Sequence, residues 1–427
     1  MSNRPTVLDL FSGAGGLALG FEQAGFDLAA AVEVDPIHAA VHSYNFPQSA
    51  TICTDAIEIS GAEIVERAGV DIDVIVGGAP CQGFSLIGKR ALDDPRNQLV
   101  SHFLRLVVEI QPTAFVLENV KGLTLGKHRE FLDEVVEEFA RHDYQVALPW
   151  RVLNARDYGV PQDRQRLFLV GTKNGVPLPP YPQPLNGAGH VTCGDALGDL
   201  PDAEAFRSLL DSDSVRTVKR GKMSAYAREM RCTDAEAWHH GYRRKWDPSL
   251  LTASMRTGHT EISRRRFAET LPGSVEPISR FYKLSDNGVS NTLRAGTDSA
   301  RGAFTSPRPI HYRYNRCVTV REMARLHGFP DWFRFHQTKW HGARQIGNAV
   351  PPPLARAVAK EILTVSFGVS PSKPRRLIRF NSEDLLKLDM KRASEFWGID
   401  VPIGKRNKKS GARKRKQTDI ERDRLAG

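Results

Sequence analysis

The sequence predicts an α/β fold with a doubly wound, mostly parallel sheet. Between residues 6 and about 171, short apolar runs alternate with segments whose apolar residues recur at helical spacing, as expected of strands and crossover helices. One run, VIVGGAPCQGFS at 74–85, ends in glycines, a proline and a cysteine, and α/β folds bind ligands at such strand ends. Near residue 176 the alternation gives way to proline, which indicates a second, less regular region.

The predicted elements follow one another at short intervals. Strands are expected at TVLDLFS (6–12), LAAAVEVD (28–35), DVIVGG (73–78), AFVLENV (114–120) and RLFLVGT (166–172). Helices are expected near 17–24, 37–45, 98–110 and 130–141. Regular signals return at 318–327, and after the prolines at 351–353 a helix places Leu354, Val358 and Ile362 on one face. We expect that face to pack against the large domain.

Composition limits the class of protein. No apolar run among the 427 residues approaches the roughly 18 needed to span a bilayer, which argues against a membrane protein. The N-terminus lacks the charged-then-apolar layout of a signal peptide, so an intracellular protein is expected. The five cysteines are scattered without a CxxC pair, and neither a zinc site nor a disulfide framework is indicated.

Positive charge is concentrated in two regions. The formal net charge is +11, and the last 57 residues carry 17 Lys and Arg against 8 Asp and Glu. Residues 211–270 carry 13 basic and 8 acidic side chains, with clusters at 243–245 and 264–266. Basic clusters favour polyanions such as nucleic acid, although each cluster taken singly is as typical of a solvated surface or tail.

A glycine-rich loop follows the first predicted strand. Gly13 and Gly15 begin a GxGxxG/A pattern, and Glu33 ends the second strand, where it could bind ribose hydroxyls. This pattern fits NAD, FAD or S-adenosylmethionine, or a mere tight turn. Asp9 beneath the loop would repel a pyrophosphate but attract the amino group of a methionine moiety, which favours adenosylmethionine. Asp55, after a predicted third strand, could accept from an adenine amino group or cap a helix.

Reactive side chains are predicted at the same edge of the sheet. Cys81 follows the strand VIVGG, Glu118 lies in ENV after the strand AFVL, and Arg164 and Arg166 precede the strand LFLVG. A free cysteine is often a buried structural thiol, and a Glu or Arg at these positions can also be structural. Together with a cofactor loop, these residue types are typical of an active site.

Six motifs follow one another along the chain. They are DLFSGAGG from Asp9, GGAPCQGFS around Cys81, ENV at Glu118, QDRQR at Gln162, TVREMARLHGFPDWF from Thr319 and QIGNAVPPPLARAV from Gln345. In this order they resemble the DNA (cytosine-5)-methyltransferase family, of the prokaryotic restriction-modification type. The resemblance implies a Rossmann-like adenosylmethionine-dependent methyltransferase domain, with a smaller, irregular target-recognition domain inserted near the C-terminal side.

The resemblance and the composition divide the chain into four parts. Residues 1–184 are expected to form the catalytic and cofactor-binding domain, and residues 185–315 the target-recognition domain. Residues 316–369 are expected to return and complete the catalytic domain. Residues 370–427 are expected to form a basic, largely disordered tail, in which an apolar island at 385–397 could dock elsewhere. The tail could be a nuclear signal or a nonspecific DNA clamp, and we favour the clamp.

The resemblance implies covalent catalysis on a flipped-out cytosine. The thiolate of Cys81 would add to carbon 6, which makes carbon 5 nucleophilic toward the methyl group of S-adenosylmethionine. Glu118 would protonate or hydrogen-bond ring nitrogen 3, a role that burial would suit by raising its pKa. The remaining catalytic candidates are Pro80, which would rigidify the turn, Gln82, and Arg164 and Arg166, which would steady the base or nearby phosphates.

Two further sets of residues are carried over from the resemblance. The cofactor-binding candidates are Asp9, Phe11, Gly13, Gly15, Gly16, Glu33, Val34, Asp55, Ala56, Leu99, Asn348 and Ala349. The DNA-binding candidates are Ser85, Lys89 and Arg96 in a mobile loop at 82–97, and Arg264, Arg265, Thr292, Leu293 and Arg294 in the recognition region. No metal is expected.

The expected partner is double-stranded DNA, with a cognate restriction endonuclease acting separately. A monomer in the prokaryotic cytoplasm, associated with the nucleoid through DNA, is expected. RNA cytosine methylation stays open, since a related branch uses similar motifs on transfer RNA, but the large basic region favours DNA. The intact Cys81, Glu118 and Arg164 argue against a catalytically silent DNA-binding regulator. An NAD-binding oxidoreductase would leave five of the six motifs unexplained.

Overall fold

The computed structural model of the protein describes residues 4–79, 98–124, 128–185, 189–296 and 308–401. Within these ranges eight strands form the large sheet. They are β1 (Thr6–Leu10), β2 (Asp27–Glu33), β3 (Ala50–Cys53), β4 (Val74–Gly77), β5 (Ala114–Val120), β6 (Tyr144–Val146), β7 (Arg151–Asn154) and β8 (Gln165–Lys173). Their order is β3-β2-β1-β4-β5-β8-β6, and β7 also pairs with β8.

The sheet is parallel on one side and antiparallel on the other. Strands β3, β2, β1, β4 and β5 run parallel, whereas β8 is antiparallel to β5, β6 and β7. The chain builds outward from β1 in one direction and then from β4 in the other, so β1 and β4 flank the switch point at which α/β sheets open a ligand crevice. The predicted doubly wound, mostly parallel sheet is confirmed.

Among the described residues of this part of the chain there are five α-helices. They are α1 (Gly16–Ala24), α2 (Pro36–Asn45), α3 (Gly61–Ala68), α4 (Gln98–Ile110) and α5 (His128–Arg141). The sequence interpretation missed α3, although Ser60 and Glu63 form a capping box at its start that could have indicated it. Along β4, Val74 and Val76 face one apolar cluster and Ile75 faces the other, because strand side chains alternate. Each face of the sheet therefore has its own core.

The middle region is irregular, as expected. Its elements are short: α6 (Cys193–Leu197), β9 (Val215–Arg216), α7 (Ala225–Met230), β10 (Arg243–Arg244), β11 (Leu250–Leu251) and α8 (Glu261–Glu269). Some of the basic side chains in this region are buried inside the protein. Arg244 is buried in an ion pair with Glu22 of α1, where its guanidinium also lies 4.7 Å from the Trp332 ring. Arg244 is thus not an exposed site for a polyanion.

The return segment packs against the first helix. It contains α9 (Val320–His327), α10 (Lys339–Asn348) and α11 (Pro352–Glu361). Leu354, Val358 and Ile362 are buried, which confirms the predicted apolar face. At the contact between α1 and α11, a methyl group placed on Gly20 would lie 2.4 Å from Cβ of Ala355. Only glycine allows the two helix backbones to approach so closely.

Residues 370–401 are packed, in contrast to the expected disordered tail. Strand β12 (Leu377–Ile378) pairs with β10, and α12 (Met390–Trp397) contacts α2, where Nε1 of Trp397 donates to the carbonyl oxygen of Pro36 at 3.1 Å. Leu385 and Leu386 are buried, because the apolar island finds a surface on α2 that sequence composition does not reveal. The basic clusters at 404–416 lie outside the described residues. Among the helices within the described ranges, none has the length and apolar character to cross a bilayer.

Gly20→Ala is expected to destabilise the protein, although alanine is ordinarily the better helix former. The added methyl group would push α1 away from α11, and such overpacking costs about 1–3 kcal/mol in free energy of unfolding, which urea denaturation would measure. Gly258→Ala is the control, since no described atom lies within 4 Å of a methyl group placed there, and its effect should stay below about 0.5 kcal/mol. An unchanged or raised stability for Gly20→Ala would contradict the packing described here.

Candidate active site

A cavity of about 660 Å³ opens at the carboxyl ends of the parallel strands. Members of the predicted cofactor and catalytic sets line it together. From the cofactor set they are Phe11, Gly13, Glu33, Val34, Asp55, Ala56, Leu99 and Asn348, and from the catalytic set Glu118, Arg164 and Arg166. Residues far apart in the sequence therefore share one cavity because their strand ends meet at one edge of the sheet.

The loop after β1 presents its backbone to this cavity. Phe11, Gly13 and Gly15 all have positive φ angles, of 57°, 54° and 100°. For phenylalanine this conformation is strained, and such strain often marks a functional site. A methyl group on Gly15 would lie 2.4 Å from the Phe46 ring, and one on Gly16 would lie 2.3 Å from the Val350 carbonyl oxygen. Among the described residues, Gly15 and Gly16 thus serve close packing beneath the loop and do not line the cavity.

Asp9 lies beneath the loop and is 1% exposed. Its Oδ2 accepts a hydrogen bond from the amide of Ala18 at 3.1 Å, while Oδ1 is buried without a partner among the described residues. Burial raises the pKa of this carboxyl well above its usual range. Asp9 supports the start of α1 and is not among the described residues that line the cavity, and its expected contact with a ligand amino group stays a prediction.

Glu33 is held by two backbone amides at one end of the cavity. Its Oε2 accepts from Gly13 at 2.7 Å and its Oε1 from Asp35 at 2.8 Å. Burial, the largest influence, raises the pKa of Glu33. Next to it, Val34 leaves 55% of its surface exposed, which is unusual for a valine in a deep site and offers an apolar face to a ligand ring.

Asp55 lines the same cavity as Glu33. Its Oδ1 accepts from the amide of Ile57 at 3.0 Å, so the side chain caps a turn while it also lines the cavity. Fixed carboxylates that accept from hydroxyl and amino groups, beside an apolar wall, fit a nucleoside.

Glu118 and Arg166 form an ion pair on the other side of the cavity. In the antiparallel register Val120 lies opposite Arg166, which lets Nε of Arg166 reach Oε1 of Glu118 at 2.9 Å. Burial raises the pKa of Glu118, whereas the guanidinium groups of Arg166 and Arg164 oppose this rise. A methyl group on Gly78 would lie 2.9 Å from Oε2 of Glu118, so glycine at this position keeps the space before the carboxyl open.

Asn119 fixes the strand end that leads to the predicted nucleophile. Its Nδ2 donates to the carbonyl oxygen of Ala79 at 3.0 Å, and its Oδ1 accepts from the amide of Val120 at 2.8 Å. Six of the catalytic and DNA-binding candidates lie between Ala79 and Gln98, outside the described residues. They are Pro80, Cys81, Gln82, Ser85, Lys89 and Arg96. Their predicted roles stay predictions.

Arg164 is buried and connects three segments of the chain through hydrogen bonds. It is 1% exposed, and its guanidinium donates to the carbonyl oxygens of Leu293 at 3.0 Å, Gly347 at 2.9 Å and Ala349 at 2.9 Å. These bonds engage both terminal nitrogens on the backbone, whereas Nε has no partner among the described residues, and the predicted contact with a base or phosphate stays a prediction. Arg164 acts here as a positioning residue for the wall that carries Asn348.

Gln162 and His327 extend this network. Nε2 of His327 lies 3.0 Å from the Ala349 carbonyl oxygen, which can only accept, so Nε2 carries the proton and Nδ1 accepts from the Gln162 amide at 3.0 Å. The amide of Leu293 donates to Oε1 of Gln162 at 3.1 Å. Burial holds the pKa of His327 well below its usual range, which keeps this neutral tautomer.

The predicted DNA contacts divide into buried and exposed residues. Leu293 is buried, and Oγ1 of Thr292 donates to the Asp163 carbonyl oxygen at 2.6 Å, so both bind the segment before β8. Arg294 and Arg265 are exposed, whereas Arg264 pairs with Glu204. In the described part of the chain, none of these five residues lines the cavity.

Several lining residues were not selected from the sequence. They include His38, Gly78, Asn119, Val120, Arg344 and Gly347. Asn119 and Gly347 lie inside recognised motifs, and that position could have indicated them. His38 and Arg344 lie on helices. The spacing of apolar residues along a helix indicates which face packs, but it does not indicate which polar residues line a cavity.

Comparison with known proteins points to one family. The sequence model of the family described as C-5 cytosine-specific DNA methylase matches residues 5–364. The Type II methyltransferase M.XorII of Xanthomonas oryzae pv. oryzae is 57% identical over 94% of this chain and 94% of its own. The Type II methyltransferase M1.HphI of Haemophilus parahaemolyticus is 34% identical over 84% of this chain and 87% of its own. The crystal structure of a prophage-encoded DNA modification methyltransferase (E. coli) superposes with a TM-score of 0.70 at 35% identity, over 84% of this chain and 99% of that one.

Arg164→Lys is expected to lower the free energy of unfolding by about 2–4 kcal/mol, because one ammonium group cannot satisfy three separated carbonyl oxygens. Urea denaturation would measure the loss. Arg376→Lys, at an exposed position, is the matched control and should stay within about 0.5 kcal/mol of the unaltered protein. Equal stabilities of the two variants would show that the Arg164 bonds contribute little.

Proposed function

The chain belongs to the C-5 cytosine-specific DNA methylase family, and from this premise we propose how its cavity performs the reaction. The protein is a DNA (cytosine-5)-methyltransferase of the restriction-modification type, like the Type II methyltransferases that it resembles over nearly its whole length. It transfers a methyl group from S-adenosyl-L-methionine to carbon 5 of cytosine in double-stranded DNA. The observation that carries the proposal is the meeting of Glu33 and the Glu118–Arg166 pair in one cavity.

The end of the cavity around Glu33 fits the nucleoside half of S-adenosyl-L-methionine. Glu33 would accept from ribose hydroxyls, Asp55 from the adenine amino group, and the exposed face of Val34 would cover the adenine ring. Asn348, on the wall held by Arg164, would contact the methionine half. When bound, the cofactor supplies an electrophilic methyl group on a sulfonium.

Glu118 is proposed as the group that activates the target cytosine. A carboxyl whose pKa is raised by burial holds a proton at a higher pH than an exposed one, and can give it to ring nitrogen 3. The thiolate of Cys81 adds to carbon 6 in the same step, and the electron pair moves to carbon 5. Carbon 5 would then take the methyl group, and the electrons of the broken carbon–sulfur bond would stay on sulfur, which leaves S-adenosyl-L-homocysteine. A base then removes the proton from carbon 5, the thiolate leaves as the ring double bond re-forms, and ring nitrogen 3 returns its proton to Glu118.

Arg166 would hold Glu118 in place and remain close to the base. Its Nε donates to Oε1 of Glu118, and burial of the pair limits the number of orientations of the carboxyl. Gly78 leaves open the space in front of Oε2 into which a flipped cytosine would enter. Asn119, by holding Ala79, would set the direction in which the chain continues toward Cys81.

Recognition of the DNA sequence is proposed for residues 185–315. The exposed Arg265 and Arg294 are the described candidates for contacts with DNA, whereas Thr292 and Leu293 would position the loop that carries Arg294. The buried Arg244 and the paired Arg264 fit structural roles better. We further propose that the protein acts as a monomer in the cytoplasm, bound to the nucleoid through DNA, and that a cognate endonuclease acts separately.

Expression of the chain in cells that lack cytosine methylation tests the activity. Mapping of 5-methylcytosine across their DNA should find the modification at one short sequence, and Cys81→Ala should abolish it, since alanine cannot form the covalent adduct. A well-expressed, unaltered protein that leaves the DNA unmodified would contradict the assignment. The next candidates would then be an RNA substrate and a catalytically silent DNA binder.

Glu118→Gln tests the proposed proton donor. The methylation rate is expected to fall by about 10²- to 10⁴-fold, the usual contribution of a general acid, because an amide cannot release a proton to nitrogen 3. Binding of S-adenosyl-L-homocysteine, measured by titration calorimetry, should change little. Glu269→Gln at an exposed position is the control. A rate within a few-fold of the unaltered protein would remove Glu118 from the mechanism.

A further inference from the structure

Residues 377–397, here called the C-terminal segment, pack along the length of α2. Near the last turn of α2, Nδ2 of Asn381 donates to the carbonyl oxygen of Ser43 at 2.9 Å. At the first residue of α2, Nε1 of Trp397 donates to the carbonyl oxygen of Pro36 at 3.1 Å. The C-terminal segment therefore contacts α2 at both of its ends.

The C-terminal segment is also bonded to other parts of the protein. Its strand β12 pairs with β10 of the middle region. Nε2 of His336 donates to the carbonyl oxygen of Leu388 at 3.0 Å, and the amide of Gln337 donates to that of Leu386 at 3.0 Å, so the chain before α10 holds it as well. Because Leu386 is fully buried, the segment is part of the core on that side. It can therefore fix the position of α2.

The chain at the start of α2 borders the cavity. Glu33 and Asp35 both line it, and the amide of Asp35 donates to Oε1 of Glu33 at 2.8 Å. Pro36 follows Asp35 directly in the chain. The hydrogen bond from Trp397 to Pro36 thus reaches the residue next to the one that holds the Glu33 carboxylate.

This contact lies outside the part of the chain that is common to the family. The family model matches residues 5–364, and the whole C-terminal segment follows that range. Membership of the family therefore does not imply the contact. It comes from an additional stretch of sequence that packs beside the cofactor cavity.

We propose that the C-terminal segment sets the position of the first turn of α2, with Trp397 as a positioning residue for cofactor binding. Trp397 does not touch the cofactor. It acts through the peptide between Asp35 and Pro36 on the carboxylate of Glu33. This inference rests on the proposed function, because it needs S-adenosyl-L-methionine beside Glu33. Cofactor and product share the same nucleoside, so loss of the contact weakens the binding of both and leaves the chemistry at Glu118 unchanged.

Trp397→Phe tests the hydrogen bond, because phenylalanine keeps an aromatic ring against α2 but has no N–H group. The Kd of S-adenosyl-L-homocysteine, measured by titration calorimetry, and the KM for S-adenosyl-L-methionine are expected to rise about 2- to 10-fold, the range for one lost hydrogen bond. The kcat at saturating cofactor and the KM for DNA should stay within about twofold of the unaltered protein. A merely structural role would lower kcat and DNA affinity together with cofactor affinity.

Asn381→Ala is the matched control. It also removes one hydrogen bond between the C-terminal segment and α2, but about 10 Å further along the helix from Pro36, and should leave the Kd unchanged. No rise in Kd for Trp397→Phe, an equal rise for Asn381→Ala, or a parallel fall of kcat and DNA affinity in Trp397→Phe would overturn the inference while the proposed function stands. Absence of S-adenosyl-L-homocysteine binding to the unaltered protein would overturn the proposed function and this inference together.

Discussion

The guanidinium of Arg164 lies at the start of β8 and donates to three carbonyl oxygens that are 129, 183 and 185 residues away in the sequence. Three parts of the chain therefore meet at one buried side chain: the catalytic sheet, the loop at Leu293 and the wall at 347–349. The contact is tight, since a methyl group on Gly347 would lie 2.4 Å from the amide nitrogen of Ala295. The loop that would meet DNA and the wall that would meet the cofactor are thus held against each other.

Buried charge is used in the same way elsewhere in the protein. Glu22 and Arg244 form an ion pair between α1 and the middle region, and Arg325 pairs with Asp199 and Asp331 beside α9. Taking a charge out of water is costly, and such pairs are tolerated where two or more charge-assisted hydrogen bonds offset that cost. They join distant segments at defined positions. A count of basic residues therefore overestimates the surface available to DNA.

Two carboxyl groups that line the cavity, those of Glu33 and Glu118, are proposed to have different tasks. Burial raises the pKa of both Glu33 and Glu118, but their surroundings differ. Glu33 accepts hydrogen bonds from two backbone amides. These bonds hold its carboxylate in one orientation, which suits it to accept further hydrogen bonds from hydroxyl groups. Glu118 faces Arg166 and an open space kept by Gly78, which suits a group that meets a substrate. These surroundings favour the separate roles proposed for two chemically similar side chains.

The sequence by itself predicted most strands and helices of the sheet region, although not α3, and it selected eleven of the residues that line the cavity. Strand and helix periodicities are local, so the parallel sheet, the α11 face and the positions of Gly13, Glu33 and Glu118 at strand ends could be predicted. Only the tertiary structure decided which side chains face the cavity and which are buried in contacts with other parts of the protein. The partners of Arg164 and Arg244 lie on other elements, and their contacts depend on how those elements dock. Burial and hydrogen-bond satisfaction are properties of that docked arrangement, and no local pattern encodes them.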